Sequence, residues 1–164
     1  MRVAVYIILK DEARILEFVN YYLKIGVDFF IFLDDNSIDI NLSEIMCKNN
    51  IAIDKYIIYN TKDICMDETE LKKCHFKHEA KSSFFLRKYL KTIVTENNID
   101  FIMQFDADEF LFLKNRDIHK TINMYLQFDI LKINWLVFGS NHLFNNYSDS
   151  IIKSFNIVCG KYFL

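Results

Sequence analysis

Residues 2–10 and 28–33 are apolar runs that do not alternate with polar side chains, and this limits the fold more than any other feature. A strand wetted on one face alternates, whereas an unbroken run rich in Val, Ile and Phe needs cover on both faces, as strands of a parallel sheet have. Between the two runs the period changes. Ile15, Leu16, Val19, Tyr22 and Leu23 recur at helical spacing across residues 12–25, with Asp11 placed to cap the start and Gly26 the end. The alternation continues with a helix at about 42–49, a strand at about 52–59, a loop at 60–68 and a long helix over 70–96 that ends at Asn97-Asn98. A strand at 101–105, a helix at about 117–127, a strand at 130–138 and an apolar stretch at 151–158 follow. Strands alternating with helices predict an α/β fold: a Rossmann-type, mostly parallel sheet with helices on both faces.

With 164 residues, 52% of them hydrophobic, residues 1–164 read as a single domain that buries a core without disulfides or a structural metal, and not as a disordered tail. The net charge of -2 argues against a nucleic-acid partner, because phosphate backbones are held by clustered Lys and Arg. Cys47, Cys65, Cys74 and Cys159 form no Cys-x-x-Cys pair and read as free thiols of a reducing compartment, so a cytoplasmic location is expected. The apolar run after Met1-Arg2 passes into Lys10-Asp11-Glu12-Ala13-Arg14 without a small-residue cleavage site, unlike a signal peptide. No apolar stretch approaches the ~20 residues that cross a bilayer, so no transmembrane segment is expected.

Open α/β sheets bind ligands beyond the carboxyl ends of their strands, and both acidic clusters fall there. Asp34-Asp35 follows the second strand, and Asp106-Ala107-Asp108-Glu109 follows the strand after the long helix. The latter lies inside the otherwise apolar run 105–113, with no Lys or Arg between Lys91 and Lys114. Burying unpaired charge is costly, so a divalent cation is the natural counter-charge. Oxygen ligands suit Mg²⁺ or Mn²⁺, which take one or two carboxylates plus substrate phosphates. In an extended segment Asp106 and Asp108 point to one side and Glu109 to the other. The plainer alternative is an acidic turn with solvated carboxylates.

Several segments, in order, resemble one family. Lys10-Asp11-Glu12-Ala13, Tyr21-Tyr22, Ile25-Gly26-Val27-Asp28-Phe29-Phe30 and Asp34-Asp35-Asn36-Ser37-Ile38-Asp39 are similar to the opening of the family-2-like and family-92-like glycosyltransferases of the GT-A fold. Asp106-Ala107-Asp108-Glu109-Phe110 resembles their Asp-x-Asp motif with its following Glu-Phe. Trp135-Leu136-Val137-Phe138-Gly139-Ser140-Asn141-His142 resembles their Trp-x-x-Phe-Gly-Ser segment. The resemblance implies a metal-dependent, inverting hexosyltransferase. It would move a sugar from a nucleotide-sugar donor, UDP-linked, to a glycan or other hydroxyl acceptor.

By motif match, Asp34 or Asp35 would contact the nucleoside, Asp106 the ribose or metal, and Asp108 the Mn²⁺ or Mg²⁺ bridging the diphosphate. Asp11, His78 and Gly139 join the implied donor site, and His142 is a further candidate metal ligand. Glu109 is open between a structural role, bonding to backbone near the motif, and a catalytic one. The general base is open among Asp149, Glu109 and a residue further along. His78 stands where the family normally carries a Gln or similar group. Enzymes of this fold also continue well past the motif, whereas here 56 residues follow Asp108, so the chain reads as a minimal version, a fragment, or one that has lost acceptor binding.

Cys65, Cys74, His75 and His78 match no common zinc spacing. Lys72, Lys73, Lys77, Lys81, Arg87, Lys88 and Lys91 make the long helix basic, as a solvated face does. Two lesser readings are that Lys81 or Arg87 approaches the diphosphate, or that this face touches an anionic membrane surface. Two other functions stand beside transfer. One is a non-catalytic nucleotide-sugar-binding module. The other is a haloacid-dehalogenase-like phosphatase, against which count the late position of the Asp pair and Phe110 where that class needs a hydroxyl.

Overall fold

The computed structural model describes residues 1–64, 77–133, 138–139 and 157–158. The elements in chain order are β1 (Val3–Leu9), α1 (Ile15–Lys24), β2 (Phe29–Asp34), α2 (Leu42–Lys48), β3 (Tyr56–Asn60), α3 (Lys77–Glu96), β4 (Phe101–Gln104), α4 (Ile118–Asn123), β5 (Phe138–Gly139) and β6 (Ile157–Val158). The first four strands form one all-parallel sheet in the order β3-β2-β1-β4, with Val5 opposite Phe30 on one side and Met103 on the other. Strands β5 and β6 pair antiparallel in a separate two-stranded sheet.

The unbroken runs are explained by cover on both faces. Val3, Val5, Ile7 and Leu9 of β1 enter one apolar cluster with Phe18, Val19 and Tyr22 of α1, Met46 of α2 and Ile122 of α4. Ala4, Tyr6 and Ile8, pointing the opposite way, enter a second cluster with Phe85 and Ile93 of α3. Each large side chain so buried is worth about 1.5–3 kcal/mol against exposure, which makes β1 the spine of the fold.

Helix ends follow a common device. Gly26, at φ +99°, donates to the Leu23 carbonyl at 3.1 Å while Val27 N–H donates to Tyr22 at 2.9 Å, the Schellman pattern that closes α1. Asn50 (φ 56°) and Asn98 (φ 50°) take the same left-handed position after α2 and α3. Asn tolerates it better than other residues with a Cβ.

Several expectations need correction. Asp11 does not cap α1: Arg14 stands at the cap position and supplies no side-chain capping bond, and Asp11 lies outside the helix at φ 49°. The third strand starts later than expected, because a single 3-10 turn takes Ile53–Lys55 before Tyr56. The helix expected over 117–127 is regular only from Ile118 to Asn123 and then breaks into turns. Residues 130–133 form no strand; Ile130 is 78% exposed and Ile133 53%, so no neighbouring strand covers this run. Of the stretch 151–158, only Ile157–Val158 falls among the described residues.

Candidate functional site

The chain walks outward from β1 to β2 to β3, then returns to place β4 on the free side of β1. The reversal falls between β1 and β4, and in such sheets ligands usually bind beyond the carboxyl ends of the two strands at that point. The last ladder bond there runs from Phe105 N–H to the Tyr6 carbonyl at 3.3 Å, and the acidic cluster follows at once.

Residues 106–109 form the acidic turn of the plainer alternative, not an extended segment, and it is closed by Glu109 N–H donating to the Asp106 carbonyl at 3.0 Å. Glu109 also folds back, its Oε2 accepting from Asp106 N–H at 2.8 Å. Asp106 and Asp108 are exposed, while Ala107 between them packs against the core. Among the described residues no basic side chain pairs with either carboxylate. Burial pushes the Glu109 carboxyl above its ordinary range; its bond from Asp106 N–H opposes this, and the neighbouring carboxylates of Asp106 and Asp108 add to it. The turn therefore concentrates negative charge that an added cation would relieve.

Behind the turn stands a pair of tyrosines. The Tyr22 hydroxyl donates to the Glu109 carbonyl at 3.0 Å and accepts from Leu111 N–H at 3.1 Å, and the Tyr21 hydroxyl donates to the Leu111 carbonyl at 2.7 Å. Burial drives the Tyr22 phenol far above its usual value, so it stays protonated and able to donate. The Phe105 ring stacks on Tyr22 at 5.3 Å, and the Phe110 ring meets Tyr21 edge-on at 5.1 Å. The helical spacing puts Tyr22 in the buried stripe of α1 but names no partner for the hydroxyl of Tyr21 or Tyr22. The signal was present, since a buried tyrosine needs a partner for its O–H.

At the end of β2, two adjacent carboxylates have different surroundings. Asp34 accepts from Ser37 N–H at 2.9 Å and, weakly, from the Asn60 amide at 3.4 Å. Asp35 is 8% exposed; its Oδ1 takes a bond from Thr61 Oγ1 at 2.8 Å and an ion pair from Lys81 of α3. Lys81 thus ties α3 to the sheet. A charge pair this buried is costly to break on one side, because the partner is left uncompensated. Asp11 joins the loops instead of capping a helix, its Oδ1 accepting from Ile38 N–H at 2.6 Å and Asp39 N–H at 2.7 Å. These amide bonds, led by that of Asp39, hold its carboxyl below the usual carboxylate range.

An open polar groove of about 500 Å³ lies between these loops, with Asp34, Ser37, Asn41 and Asn60 in its wall. It sits on the β2–β3 side, whereas the acidic turn follows β4 on the far side of β1, about 10–15 Å away by two to three strand spacings. The groove and the acidic turn lie along the same sheet edge. Asp34, Asp35, Asp11, Asp106, Asp108 and Glu109 all lie along this edge. His78 falls on the first turn of α3 and Gly139 in β5 opposite Ile157. His142, Trp135, Asp149, Cys65, Cys74 and His75 lie outside the described residues.

Among the described residues no group of three or more His, Cys, Asp or Glu is placed to hold a metal. Asp106 and Asp108 nevertheless suit Mg²⁺ or Mn²⁺, because such ions need only one or two carboxylates when phosphates and water complete the shell. No helix among the described residues is long and apolar enough to cross a membrane. No family model, no characterised protein and no solved structure matches this chain.

Proposed function

We propose that this chain is a metal-dependent glycosyltransferase of the GT-A type, binding a nucleotide-sugar along the carboxyl edge of its sheet. The observation that carries the reading is the exposed Asp106-Asp108 turn at the end of β4, beside the switch point of a four-stranded parallel sheet. In this reading the donor is a UDP-sugar and the acceptor a glycan or other hydroxyl, with Asp106 and Asp108 as the metal ligands. Asp34 and the adjoining groove offer acceptors and amide groups to the nucleoside, and Asp35, committed to Lys81 and Thr61, holds that loop in place. Glu109 keeps the turn closed through Asp106 N–H. Mg²⁺ or Mn²⁺ bound there would neutralise charge on the departing diphosphate as a Lewis acid.

The test is calorimetric titration of UDP and UDP-sugars with and without Mn²⁺, followed by UDP release with glycan acceptors. Binding is expected to require the metal, and Asp108→Asn is expected to weaken it at least about 10-fold. Metal-independent binding, or an Asp108→Asn variant that binds as the wild type does, would sink the reading. Metal-dependent binding with no turnover against any acceptor would instead favour a non-catalytic nucleotide-sugar-binding module.

A further inference from the structure

We infer that Tyr22 is a positioning residue for divalent-cation binding by the acidic turn, its hydroxyl holding residues 109–111 against α1 as a neighbouring strand would. The inference rests on the metal-dependent reading above. In a parallel ladder one residue bonds to the carbonyl before and the N–H after the residue it faces. Tyr22 Oη does both for Phe110, donating to the Glu109 carbonyl at 3.0 Å and accepting from Leu111 N–H at 3.1 Å. A single hydroxyl thereby replaces the missing strand partner just where the chain has left the sheet.

The clamp acts on both ends of the turn. Phe105, immediately before the carboxylates, stacks on the Tyr22 ring at 5.3 Å, and Phe110, immediately after them, meets Tyr21 at 5.1 Å. Tyr21 adds a third bond to the backbone, to the Leu111 carbonyl at 2.7 Å. Between these anchors Asp106, Asp108 and Glu109 crowd three carboxylates into four residues, and their repulsion favours an open loop. Holding the loop closed before the ion arrives removes that reorganisation from the cost of binding. The hydroxyl touches neither ion nor substrate; it acts through the backbone of Glu109 and Leu111.

A control of the same chemistry exists on the opposite face of the sheet, where Tyr6 shares a buried hydrogen bond with Ser82 at 2.8 Å. Tyr6→Phe and Tyr22→Phe each delete one buried hydroxyl, but only the second touches the turn. The experiment titrates Mn²⁺ by electron paramagnetic resonance in the presence of UDP, with thermal melts run alongside. Tyr22→Phe is expected to weaken Mn²⁺ binding roughly 10-fold, as removal of a group that orients a ligand commonly does. Tyr6→Phe should stay within about twofold of wild type even where its melting temperature falls as far. Equal Mn²⁺ affinity in Tyr22→Phe and wild type, with Asp108→Asn binding lost, overturns the inference and leaves the metal site standing. Wild-type protein that binds no Mn²⁺ overturns both. Should Tyr22→Phe not fold, Tyr21→Phe removes one bond from the same segment, and a smaller loss of affinity is expected; no loss in that variant counts against the clamp.

Discussion

Gly26 stands at φ +99°, and a Cβ built there would lie 3.3 Å from the His119 ring. Both facts oppose a side chain, since the left-handed conformation alone costs roughly 1–2 kcal/mol for a residue other than glycine. Gly26→Ala is therefore expected to destabilise the fold by about that amount, read as a lower urea midpoint at unchanged slope. The end of α1 was readable from the sequence because glycine after an apolar stripe has one common use. Asp11 was misread for the converse reason: an acidic residue before a helix suits capping, yet its carboxylate is taken by the Ile38 and Asp39 amides, which only the folded sheet brings near. Those bonds lower its pKa, so they favour the folded form above the unfolded value and are lost as pH falls through the folded one. Protection of the Ile38 and Asp39 amides, taken relative to intrinsic exchange at each pH, should accordingly fall as the solution is acidified below about pH 4. Asp11→Asn should remove most of that fall, and protection unaffected by acid would refute the link.

Helix α1 does two jobs with one stripe. Phe18, Val19 and Tyr22 fill the core under β1, and the tyrosine hydroxyls at the same edge fix the backbone beyond β4. The stripe was visible in the spacing of apolar residues, but the partners of the hydroxyls were not, because they lie nearly ninety residues away in the chain. Likewise, Lys81 on α3 looked like one of many solvated lysines until the sheet brought Asp35 beneath it. Strands β1 and β2 were legible for a simple physical reason: burial on both faces forbids polar residues, and few other structures impose that on so short a run. Residues 130–133 share the composition but not the environment, and form no strand. The acidic cluster stood out as charge at the end of an apolar strand, but the burial cost argued from it does not arise, because Asp106 and Asp108 are exposed; its turn conformation depends on Glu109 reaching back, which spacing does not reveal.

Taken together, the parallel strands send the loops that carry Asp11, Asp34, Asp35 and Asp106 to Glu109 to one edge and leave Arg2, Asp28 and Asp100 at the other. Hydrogen–deuterium exchange with UDP and Mn²⁺ should therefore show protection in peptides covering 34–39 and 105–111 and none around residues 26–28 and 97–100. Protection centred on the latter edge would place the ligand elsewhere and reject the reading. The strand order also carries a kinetic consequence. β1 and β2 join across about 25 residues, as the Val3–Asp28 bond shows, whereas β1 and β4 meet across 98, as Arg2 and Asp100 do. Contacts distant in sequence pay more loop-closure entropy and form later, and a chain emerging from the ribosome cannot make them until its later part is synthesised. The edge of β1 must therefore wait, unpaired, while β2 and β3 assemble on its other side. The acidic turn, hanging from β4, is then the last piece of the sheet edge to be seated.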